Sequence, residues 1–193
     1  MKISFCISLG LLTLLAFCGC GGSSELEMKA AEQAREKALS AHADLLAPSQ
    51  FQEAQKTLEH ALAAAKEGKT SSAKVLFASA KIYFSKSALI AKSNRETLTK
   101  QLDGLAVAIN VNFDQVKSDL AKKKLSSRDQ EQVKAIVAQI VQDKASMQDL
   151  SIQDNLITAV ATAKEVQMEI YKAQLILAGE KPHRNKSVTS GEP

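Results

Sequence analysis

The chain has 193 residues, with 25 basic and 21 acidic side chains and a formal charge of +4 whose signs are interspersed rather than blocked. So mild a balance describes a solvated surface and argues against a nucleic-acid footprint. Aromatic residues make up 4% with no Trp, which argues against a stacking platform for bases.

One positive side chain, Lys2, precedes a short apolar run from Ile3, and Leu9–Ser24 reads Leu-Gly-Leu-Leu-Thr-Leu-Leu-Ala-Phe-Cys-Gly-Cys-Gly-Gly-Ser-Ser. A charged start, a short apolar middle and small residues at the cut are the layout of a secretory signal peptide. Its end, Phe17-Cys18-Gly19-Cys20, resembles the lipobox of bacterial lipoproteins, where a small residue precedes a cysteine that becomes the lipidated N-terminus. That pattern prefers Leu three places before the cysteine and a small or β-branched residue two places before. Phe17 and Cys18 hold those places here, with Gly19 intact. Cys18 is the poorer lipid acceptor because bulky Phe17 precedes it.

The resemblance implies a diacylglyceryl group on Cys20, and two acyl chains hold a protein on a bilayer where one binds marginally. A signal cleaved without lipid, its cysteines mere apolar filler, and a retained helix are the competing readings. Gly21 follows the anchor instead of the Asp that favours inner-membrane retention in enteric bacteria. The expected place is therefore the periplasmic face of the outer membrane, where the source has one.

Removing residues 1–19 as signal and 20–24 as tether leaves enough chain for one or two small domains. All three cysteines (Cys6, Cys18 and Cys20) lie in the targeting stretch. The mature chain is thus expected to hold no disulfide, thiolate nucleophile or cysteine metal site, despite an oxidising destination. Packing alone must stabilise it.

Between Glu25 and Ala178 the only Gly or Pro residues are Pro48, Gly68 and Gly104, set among Ala, Leu, Glu, Gln and Lys. Strong helix formers with so little punctuation predict an all-α fold, an elongated antiparallel bundle of five to six helices. Ser24 and Glu27 have the spacing of a capping box. The first helix then carries Leu26, Ala30, Ala34, Ala38, Ala41 and Leu45 on one face, and Ala47-Pro48 ends it. A second helix starts at Pro48 or Ser49 with a stripe of Phe51, Ala54, Leu58, Ala61, Leu62 and Ala65, and Gly68 stops it. The third begins at Thr70 to Ser72, with Ala73, Leu76, Phe77, Ala80, Phe84, Ala88, Ala91 and Leu98 on its inner face. Short connections predict antiparallel neighbours.

The middle admits two periods. Leu105, Val107, Ile109, Val111 and Phe113 alternate like a half-buried strand. A helical stripe of Leu102, Leu105, Ala106, Ile109, Phe113, Val116 and Leu120 runs twice as far. A lone strand would leave its backbone groups without partners. Helix is the expectation; whether it continues the third helix through Gly104, at a cost of about 1 kcal/mol relative to Ala, is left open by the sequence.

Lys122-Lys123-Lys124 suits a helix C-terminus, where cations complement the dipole; contact with anionic lipid head groups is the alternative. Ser126-Ser127 caps a helix running to about Met147, with Val133, Ile136, Val137 and Ile140 inward. Ser151 with Asp154 is expected to cap the last helix, which carries Leu156, Ala159, Ala163, Val166, Ile170 and Leu177. Gly179 is placed as its left-handed C-terminal cap with Pro182 beyond. Residues 25–101 and 102–178 form the two expected helical segments, and 179–193 a polar, disordered tail.

The run Leu46-Ala47-Pro48-Ser49-Gln50-Phe51-Gln52-Glu53-Ala54, then Leu58, Ala61, Glu67-Gly68-Lys69, Ala73, Ala78 and Ala80, resembles an uncharacterised family. This is the alanine-rich envelope helical domain of unknown function, DUF4398. The likeness covers Glu25 to Ala91 and implies helix pairs similar to tetratricopeptide repeats, a peptide- or protein-binding role and no catalytic residues.

Site chemistry is sparse. Four places either side of His42 lie Ala38 and Leu46, and either side of His60 lie Lys56 and Ala64. Neither makes a same-face ligand pair, and His183 stands apart. Glu25, Glu27, Asp143 and Asp149 fall on presumed polar faces. No Glu-x-x-His pair, phosphate loop or nucleophile elbow occurs. No catalytic, cofactor or metal site is expected, and Cys20 is the one site residue.

The alanine stripes read either as close intramolecular packing or as a thin core, at about 25 cal/mol per Å², completed by self-association or a partner helix. Large apolar residues are commoner after Leu102, so the second segment is expected to be the more stable. The expectation is a non-catalytic, lipid-anchored envelope scaffold that binds another envelope protein or itself, and no nucleic acid. A carrier holding an apolar small molecule or lipid between its helices is the alternative.

Overall fold

Pro48 and Gly68 punctuate the chain where the sequence places them. The computed structural model describes residues 24–180. Among these residues are six helices and no strand: α1 (Glu25–Ser40), α2 (Ala43–Leu46), α3 (Pro48–Lys66), α4 (Thr70–Lys122), α5 (Ser127–Ile152) and α6 (Leu156–Leu177). The fold is an all-α helical bundle. The expectations for residues 1–23 and 181–193 lie outside the described residues.

The chain forms two compact units that divide between Lys92 and Ser93, within α4. The first unit is built on α1 to α3 and the start of α4. Among the described residues its core is Ala31, Ala34, Ala38, Ala43, Ala47, Ala54, Ala61, Ala64, Ala73, Ala80 and Ala91, with Phe51, Leu58, Phe77 and Phe84 as the large members. Small side chains let the helices approach closely, and Phe51 meets Phe84 edge-on with ring centroids 5.5 Å apart. Ser87, buried on the same face, donates its hydroxyl to the Phe84 carbonyl at 2.8 Å, so this buried hydroxyl is paired.

The second unit is richer in volume. Its core holds Leu102, Ile109, Phe113 and Val116 of α4, Val133, Ile140 and Met147 of α5, and Leu156, Val160, Val166, Ile170, Ile176 and Leu177 of α6. Val107 and Val111 are exposed, which settles the ambiguous middle as helix: inward positions follow a period of 3.6, not 2.

Gly104 sits inside α4 with nothing within 4 Å of the Cβ an alanine would add. Gly104→Ala is therefore expected to stabilise the protein by about 1 kcal/mol, read as a raised urea midpoint; a lowered midpoint would contradict open space at this position.

Three helix ends share one device. At the ends of α3, α5 and α6 a left-handed residue, Gly68 (φ 74°), Asp154 (φ 61°) or Gly179 (φ 77°), closes the helix. The amide after it reaches back to the fifth carbonyl before: Lys69 to Ala64, Asn155 to Leu150 and Glu180 to Leu175, each at 2.9 Å. These are Schellman closures, which satisfy otherwise orphaned carbonyls.

Four expectations need correction. The first helix does not run to Ala47: α1 stops at Ser40, His42 takes the left-handed region at φ 54°, and the four-residue α2 follows. The left-handed residue resets the helical phase, so Ala43 and Ala47 are buried while Leu45 is exposed. Leu26, at the outset of the expected stripe, is also exposed, and Ala31 takes an inward place. The Ser24 capping box is not formed: its side chain makes no cap bond, and Glu27 Oε2 is buried without a hydrogen-bond partner among the described residues. Finally, α5 continues past Met147 to Ile152 and absorbs Ser151, and Asn155 caps α6 instead, accepting from the Thr158 amide at 3.4 Å. Ser126 does cap α5, accepting from the Asp129 amide at 3.1 Å.

Candidate functional site

Cys20, the residue to which the sequence assigns chemistry, lies outside the described residues, as does His183. His42 and His60 are exposed, one at the α1–α2 junction and one on α3. Among the described residues no group of three or more His, Cys, Asp or Glu side chains is placed to hold a metal. Of the carboxylates singled out in the sequence, Glu25 pairs with Lys29 at 3.1 Å, and Asp143 accepts from the Gln139 amide at 2.9 Å. Asp149 is exposed. They are not brought together.

The polar contacts between helices in the second unit serve architecture. Arg95 of α4 pairs with Asp154 at 2.6 Å, tying the α5–α6 turn to α4. Lys123, just beyond α4, donates to the Leu177 carbonyl at 3.2 Å and pairs with Asp119 at 3.6 Å. A cation on the last carbonyls of α6 complements that helix's dipole. The dipole reading of the lysine run thus holds for Lys123, but on α6 as well as on α4.

Around Phe113, the ammonium groups of Lys117 and Lys144 lie 4.9 and 5.0 Å from the ring centroid, within cation–π range. Lys144 also donates to Asn110 at 2.6 Å. The hydrogen bond from Lys117, then its charge, holds the Asp114 carboxyl below its ordinary range, with a smaller contribution from Lys144. Asp114 is solvent-exposed, so this is a surface charge cluster rather than a poised acid or base.

The feature that sequence reading missed is on α4 in the first unit. Val75, Ile82 and Leu89 are exposed, although α4 already buries Ala73, Phe77, Ala80, Phe84 and Ala91. The signal was legible as a seven-residue spacing, and as charge: Thr70 to Arg95 contains Lys74, Lys81, Lys86, Lys92 and Arg95 but no Asp or Glu. The interspersed pattern of the whole chain hides this local segregation. No helix among the described residues is long and apolar enough to cross a membrane.

No protein-family model, curated protein or solved structure matches the chain.

Proposed function

We propose that the chain is a bacterial lipoprotein, anchored through Cys20, whose helical units act as a non-catalytic scaffold or protein-interaction module on the periplasmic side of the cell envelope. The observation that carries this reading is Gly19-Cys20 closing a short apolar run, followed almost at once by α1. With no cysteine after Cys20, the anchor is the chemistry the sequence offers. The likeness of the Ala-Pro turn, the Gly68 turn and the alanine-lined helices to the envelope family supports the interaction role.

The test is metabolic labelling with a clickable fatty acid in a bacterial host. The natural chain is expected to take up label and fractionate with membranes. Cys20→Ala is expected to lose all label while circular dichroism of the purified variant keeps its helical signal. Label that persists on the variant would refute the anchor.

A further inference from the structure

Val75, Ile82 and Leu89 are 66%, 63% and 70% exposed. At 100° per residue, a spacing of seven sets the three within about 40° of one another, along about 21 Å of helix. The buried face of α4 in this unit, Ala73, Phe77, Ala80, Phe84 and Ala91, is turned about 180° away by the same geometry. A helix on the surface of a bundle needs one apolar stripe. Here α4 has two, on opposite sides, and the unit fills only one.

The charged residues of α4 beside the second stripe are all cations. Lys81, Lys86 and Lys92 are exposed and Lys74 is half-buried. Among the described residues, none of the four is in an ion pair. The hydroxyls between the aliphatic residues are turned inward: Ser79 donates to the Val75 carbonyl at 3.0 Å and Ser85 to the Lys81 carbonyl at 2.9 Å. Each hydroxyl's one donor is thereby satisfied by the helix backbone, which lowers the cost of taking this face out of water.

We propose that this face of α4 lies against the surface of an anionic lipid bilayer. Charge complementarity selects the occupant. A second copy docking the same face would set lysines against lysines. A partner helix in a coiled coil wants apolar residues in two rows. With Val75, Ile82 and Leu89 as one row, Ala78, Ser85 and Lys92 would form the other, and its far end is a charge. A lipid surface asks for no second row. The aliphatic side chains enter the acyl boundary, while the lysine stems lie along them and lift their ammonium groups to the lipid phosphates. The contact does not depend on a lipid at Cys20; where that anchor is present, it holds the face at high local concentration beside the bilayer.

The test uses the chain from residue 20 onward with Cys20→Ala, which keeps every described residue and carries no lipid. It is sedimented at low salt with vesicles of equimolar phosphatidylcholine and phosphatidylglycerol, or of phosphatidylcholine alone. Partition onto the mixed vesicles is expected, weaker by at least about ten-fold on phosphatidylcholine and falling as salt rises. Replacing Lys74, Lys81, Lys86 and Lys92 together by Gln is expected to weaken partition about a hundred-fold or more. Val75→Ser, Ile82→Ser and Leu89→Ser combined are expected to weaken it by at least about ten-fold, with helical content unchanged.

Lys122→Gln with Lys124→Gln, in the second unit, is the control and is expected to leave partition as it was. Failure of the parent chain to sediment with mixed vesicles would overturn the proposal, as would equal sedimentation of both face variants. Binding to a Glu-flanked amphipathic peptide without any vesicle binding would overturn it too, in favour of a protein partner. Each outcome is independent of whether Cys20 is lipidated in cells.

Discussion

Phe84→Ala is expected to destabilise the first unit by about 3–5 kcal/mol, close to the whole stability of many small domains. Phe84 is fully buried and its ring packs edge-on against Phe51. Eleven of the fifteen residues in that core are alanines, so burial energy is concentrated in Phe51, Leu58, Phe77 and Phe84. Alanine neighbours have no side chain to swing into the space a lost ring leaves, and a cavity that cannot collapse costs the most. Tyr83 lies in this unit and Tyr171 in the other. Urea unfolding followed by Tyr83 fluorescence, in a Tyr171→Phe background, measures the effect. A loss below about 1 kcal/mol would mean that this core is not held as described.

Ile140→Ala is the counterpart in the second unit, with an expected loss of about 2–5 kcal/mol. Ile140 is fully buried on α5. It sits in a core of sixteen residues that has only three alanines, Ala159, Ala163 and Ala173. Branched neighbours with rotamer freedom can shift partway into the gap, so the cost is expected toward the lower end of that range, below that of Phe84→Ala. Tyr171 fluorescence in a Tyr83→Phe background reads it. A cost for Ile140→Ala that exceeds that of Phe84→Ala would reverse this account of which core adapts. An unchanged urea midpoint would remove Ile140 from the core altogether.

The two cores differ because their alanine content differs, and that was written in the sequence. The stripes of α3 and of both parts of α4 were legible residue by residue: Phe51, Ala54, Leu58 and Ala61, then Ala73, Phe77, Ala80 and Phe84, then Leu102, Ile109, Phe113 and Val116 are all buried. The stripes are long, and the first two are set off by Pro48, whose ring fixes φ, and by Gly68, which takes the left-handed conformation other residues avoid. The first helix was less legible because its stripe is nearly all alanine. A row of identical small side chains fixes the period of a helix but not the point at which it breaks.

The candidate site was legible in a different way. Cys20 stands out by motif, which is read from neighbours in the chain. The aliphatic and lysine face of α4 stands out only once the opposite face is known to be buried. The sequence placed Ala73, Phe77, Ala80 and Phe84 inward, and the same periodicity leaves Val75, Ile82 and Leu89 on the opposite side. Packing bears out the inward assignment, with Phe84 meeting Phe51 across the core.

By itself, then, the sequence determined that this protein is helical, where α3 begins and ends, and where α6 closes at Gly179. Those follow from propensity, periodicity and the conformational limits of Pro and Gly, which act within a few residues. Only the tertiary structure decided the break at His42, the closure of α5 at Asp154, and that α4 runs unbroken through Gly104. His42 and Asp154 are non-glycine residues in left-handed conformations, a state that costs them energy in isolation. Burial of Ala43 and Ala47 offsets that cost at the first, and the Arg95 ion pair helps to offset it at the second. Contacts between residues far apart in the chain chose those turns, so no local rule could have read them.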